Sequence, residues 1–130
     1  MKEIIICAII IILVILLNYL FLSQTNNSLN NISSRLEYIK EELIKLTDEE
    51  SNTSVMDKIE ELEKQWEITY YTLAFYIEHD ELEKVENNLI SVKSFIESKE
   101  YNEAISDLDK SLFTLSHINE KYLFKLQNIF

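Results

Sequence analysis

Not one of the 130 residues is glycine or proline, where average usage would place about 9 and about 6 or 7. Glycine supplies positive φ at turns and proline breaks helices. Their joint absence favours helices joined by short connections that keep φ negative. Codon bias contributes too, since Ile, Asn, Lys and Glu are abundant beside a single arginine, Arg35.

The second constraint is an apolar run from Ile4 to Leu22, interrupted only by Asn18. As a helix it rises about 28 Å, close to the roughly 30 Å hydrocarbon thickness of a bilayer. A secretory signal has a shorter apolar core and a small-x-small cleavage site. Leu20, Phe21 and Leu22 before Ser23 offer no such site, so residues 1–22 are expected to be an uncleaved transmembrane signal anchor. Cys7 follows three isoleucines and reads as a small hydrophobe. Lys2 flanks one end, and the first bases beyond the other are Arg35 and Lys40, which places the N-terminus in the cytoplasm and the rest outside the cell membrane.

The net charge is −11. Setting aside Lys2 and Glu3 from 12 bases and 23 acids leaves 11 and 22, a balance that repels phosphate backbones and argues against nucleic acid as a partner. Enzymatic activity is not expected either. The sequence holds no glycine-rich phosphate loop and no nucleophile elbow, and its one cysteine lies in the apolar run. No cofactor is implied.

Residues 23–34 are polar, either a stalk or a continuation of the anchor helix, and residues 35–130 are expected to form a helical bundle. Leu29, Ile32, Leu36, Ile39, Leu43 and Leu46 recur at alternating steps of three and four, a heptad seam. It is expected to pack into the chain's own bundle, with a division-type coiled-coil homodimer as the alternative. After a loop at residues 47–53, Ser54 and Asp57 resemble a capping box. The following stripe is Ile59, Leu62, Trp66, Thr69 or Tyr70, Leu73 and Ile77, ending near His79. Asp80 is expected to cap a third helix with Leu82, Val85, Leu89, Val92 and Ile96 inward. Ser98-Lys99-Glu100 turns into a fourth, with Tyr101, Ala104, Ile105, Leu108, Leu112, Leu115 and Ile118 inward, before an apolar tail from Tyr122 to Phe130. The fold class is all-α: an N-terminal transmembrane helix followed by an antiparallel three- to four-helix bundle.

Helices three and four have equal rise, so His117 returns to the level of the Glu78-His79-Asp80-Glu81 corner. The only two histidines of the chain then meet at the membrane-proximal end. His79, His117, Glu78, Asp80 and Glu120, with Asn128, Ile129 and Phe130 of the tail, form the candidate partner or ligand corner. His79 and His117 are also the only metal-ligand candidates, without a local ligand pair such as HExxH to support them. Tyr71, Phe75 and Tyr76 gather at the same end.

Trp66, Ile77-Glu78-His79, His117-Ile118, Glu120-Lys121 and Asn128-Ile129-Phe130, behind an N-terminal anchor, give the chain a resemblance. It resembles a family of small uncharacterised membrane-anchored proteins of Gram-positive bacteria, known as a domain of unknown function. The resemblance covers most of the chain and implies no known activity. The expected function is that of an accessory or scaffold subunit for an envelope membrane protein, held in the bilayer by residues 4–22. A metal- or pH-sensing module at the His79/His117 corner is the alternative.

Overall fold

The computed structural model describes the chain except Asp48 and Phe130, with side chains as far as Phe124. The described residues form four helices and no strand: α1 Lys2–Lys45, α2 Thr53–Leu73, α3 His79–Glu97 and α4 Tyr101–Ile129. Each packs on its neighbours in sequence, and α4 closes the ring against α1. Lys40 meets Asp109 and Leu22 meets Tyr122, so α4 runs antiparallel to α1. The result is an up-and-down four-helix bundle.

The first helix of that bundle is the second half of α1. Residues 1–21 are exposed, and α1 contains the one stretch among the described residues that is long and apolar enough to cross a membrane. From Leu22 onward the same helix is built into the core through Thr25, Leu29, Ile32, Leu36, Ile39 and Leu43. Residues 23–34 are therefore a helix continuation and part of the bundle, because Leu22, Leu29 and Ile32 keep the inward stripe running through the polar stretch. The seam from Leu29 to Leu43 is spent on α2 and α4, and Leu46 packs at its edge. A homodimer built on those residues would have to open the bundle.

The stripes of α2 and α3 are buried as their spacing predicts, with Val55 added at the start of α2 and Ile77 beyond its end. Trp66 is 2% exposed and stands edge-on to Tyr70. The helix boundaries differ from expectation. α2 starts at Thr53 behind Asn52, so Ser54 and Asp57 lie inside it; the Asn52 side chain accepts no capping bond from the first turn and instead donates its amide to Ile96 O at 2.7 Å. That bond ties the start of α2 to the end of α3. α2 stops at Leu73, whose carbonyl accepts from both Tyr76 and Ile77 N–H. His79 consequently opens α3 rather than closing α2, and Asp80 lies in its first turn, with Glu78 at the cap position.

Two features break the expected pattern more sharply. Lys99 has φ 59°, so this connection does not keep φ negative. Lys99 N–H reaches Ile96 O and Glu100 N–H reaches Phe95 O, the paired bonds that close a helix through a left-handed residue, normally glycine. In α4, Ile105 and Leu112 are only partly buried, while Asp107 and Ser111 are buried. Ser111 Oγ donates to Asp107 O within its own helix, as Thr25 and Thr69 hydroxyls do to Phe21 O and Gln65 O. Such back-bonding lets a hydroxyl occupy a core position without an orphaned donor. The expected tail is helical too: α4 continues to Ile129, and Tyr122 is 1% exposed.

Candidate functional site

The two histidines do come to one end of the bundle, the Leu22 end, but to different neighbours. His79 Nδ1 lies 2.5 Å from Tyr70 Oη, and its Nε2 lies 2.9 Å from Glu83 one turn along α3. His117 Nε2 lies 3.4 Å from Glu81 Oε1. Positions 79 and 81 are about 200° apart around a helix. His79 thus faces α2, while Glu81 faces α4. The corner holds two separate pairs instead of one shared centre, and among the described residues no group of three or more His, Cys, Asp or Glu is arranged to hold a metal ion.

Glu81 is the organising residue that sequence reasoning under-weighted. Its carboxylate is largely buried between α3 and α4, and Oε1 takes Lys121 Nζ at 2.8 Å as well as His117. The bond to Glu81 holds the Lys121 ammonium above its ordinary pKa. The sign was available in the sequence: Glu81 directly precedes the inward Leu82, so it borders the buried stripe. Across the other interface, burial and the charges of Glu83 and Glu86 raise the Tyr70 hydroxyl. Glu78, Asp80 and Glu120 are exposed. For Asn128 and Ile129 only the helical backbone is described, and Phe130 lies outside the described residues.

This end also carries exposed aromatic side chains beside its charged corner. Tyr76 stacks edge-on against Tyr122 with centroids 5.8 Å apart, which locks the α2–α3 corner to α4 at the level of Leu22. Tyr71 near the end of α2, Phe75 just beyond it and Phe124 near the end of α4 are exposed at 67%, 82% and 64%. Phe21, Gln24, Ser28, Ile68 and Thr72 line a groove between α1 and α2. The distal end has no comparable ring of exposed aromatics among the described residues. The sequence brought these residues to one end correctly. It did not separate Tyr76, partly buried against Tyr122, from the exposed Phe75 beside it.

A four-helix bundle with one member extended as an exposed apolar helix is thus the class of protein that fold and site define. The chain belongs to the family described as a domain of unknown function, DUF4363, which it matches over residues 19–129. The match starts close to Leu22, where core packing starts, so the family's domain and the bundle coincide. No curated protein and no solved structure matches the chain.

Proposed function

We propose that this protein is a single-pass component of a Gram-positive cell envelope, its N-terminus cytoplasmic and its bundle extracytoplasmic, that acts as an accessory or scaffold subunit of another membrane protein. The observation that carries this reading is the passage of α1, without a break, from an apolar exposed half into the core of the bundle. A bundle attached in that way has a fixed position over the bilayer, which suits a part that holds a neighbour in place. Exposed Tyr71 and Phe75 at the Leu22 end and the groove between α1 and α2 supply contact area for a partner emerging from the same membrane, since aromatic side chains are enriched where interfaces form. The role is one of binding rather than catalysis. The His79 and His117 pairs serve in it as ties between helices.

Affinity purification of the full chain from detergent-solubilised membranes tests this. A multi-pass protein recovered in stoichiometric amount, and lost when Ile68→Glu is introduced on the exposed rim of the groove, is the expected result. Recovery of the chain alone, with the wild-type and the variant indistinguishable, would contradict it.

A further inference from the structure

We infer that the last turns of α4 lie in the interfacial layer of the bilayer beside α1, giving the bundle a second, non-spanning lipid contact. The inference rests on the membrane reading of α1 given above and goes beyond it. Tyr122 Oη donates to Leu22 O, and both residues are buried, so the two antiparallel helices are in register at the point where the apolar run of α1 ends. Beyond that point the side chains of α1 are exposed, through residues 1–21. α4 nevertheless continues as a helix to Ile129, about 10 Å past Tyr122 and back along the apolar half of α1.

Whatever surrounds α1 at that level also surrounds the end of α4. The first two side chains to enter that zone are Leu123 and Phe124, exposed at 39% and 64%. Lipid fits them for a reason of continuity. Their neighbour on α1 is the stretch from Ile15 to Phe21, itself exposed and apolar apart from Asn18 and Tyr19, and a tyrosine at that depth marks the headgroup level where aromatic side chains settle. The acidic residues near this end limit the immersion. Glu78, Asp80 and Glu120 are exposed and must stay in water, so α4 alone dips while the α2–α3 corner rides on the surface. Apolar helical segments held in this layer bury their side chains about 5 to 10 Å deep, the reach that the register allows.

The test is site-directed spin labelling of the full chain with Cys7→Ala, reconstituted alone in phosphatidylcholine vesicles. Single labels are introduced through Ile10→Cys, Phe113→Cys and Phe124→Cys, all at exposed positions. Oxygen, which partitions into lipid, and a water-soluble nickel complex serve as relaxation probes. The expected result is an oxygen-to-nickel accessibility ratio several-fold higher at 124 than at 113, which lies about 16 Å further up the same helix, with the ratio at 10 higher still. A lipid signature at 10 but a water signature at 124 would overturn this inference and leave the anchor standing. A water signature at 10 would overturn both. Low access to both probes at 124 would mean contact with a second copy of the chain and would also refute lipid contact.

Discussion

Lys99 shows most plainly how a missing residue type leaves its mark. The turn from α3 to α4 requires a left-handed residue after Ser98, and with no glycine anywhere in the chain a lysine takes the position at a cost of about 1 to 2 kcal/mol. Lys99→Gly is expected to raise stability by about 0.5 to 1 kcal/mol, the relief being partly offset by glycine's larger entropy in the unfolded chain; chemical denaturation measures it. Asp107 is a second such residue. Burial alone would raise its pKa, but hydrogen bonds from Ser91 and Lys110 and the Lys110 charge outweigh it and hold the carboxyl below its ordinary value. A depressed carboxylate stabilises the fold above its unfolded pKa and loses that contribution as the pH falls through the folded one. Asp107→Asn should therefore cost about 1 to 2 kcal/mol at neutral pH, and the gap between variant and wild-type should close below about pH 4. Neither residue was legible in the sequence. Composition argues against a left-handed turn, and although Ser111 continues the steps of three and four through Tyr101, Ala104, Leu108, Leu115 and Ile118, residue type favours Ile105 and Leu112 over Ser111 and Asp107 for the core.

At the scale of elements the inward stripes were the legible part. Leu82, Val85, Leu89, Val92 and Ile96 recur at helical spacing and all are buried, since a repeating apolar face has one way to leave water. Boundaries were legible only to within a few residues. Asn52 and Glu78 make no side-chain caps, so Ser54 and Asp80, good cap residues by type, pointed to the wrong positions. Residues 23–34 gave the largest ambiguity, as their polarity fits a stalk while Thr25, Leu29 and Ile32 fit a helix; the buried stripe decided it. Asn27 sits exposed within that stretch. Asn27→Pro should destabilise the bundle by about 3 kcal/mol or more, because it interrupts a helix that carries core residues on both sides. A flexible stalk would tolerate the same change, and thermal melts followed by circular dichroism distinguish the two.

Over the whole molecule, the candidate site was legible as a place and not as a set of contacts. Helix lengths alone brought His79 and His117 to one end, since matched rises in antiparallel neighbours fix level. They could not fix the facing, which put the two imidazoles on opposite sides of α3 with Tyr70 and Glu81 as separate partners. The same arithmetic of level makes α1 the defining element, one helix that serves as apolar extension and as a quarter of the bundle. On the proposed reading, no hinge intervenes between membrane and bundle. Pulsed electron resonance between spin labels at positions 10 and 34, in the Cys7→Ala background and in lipid vesicles, tests this most directly. Both positions are exposed on α1, and a continuous helix sets them about 36 Å apart. A single narrow distance distribution near that value is expected; a broad distribution centred well below it would show a bend or a flexible joint and contradict the rigid attachment of the bundle.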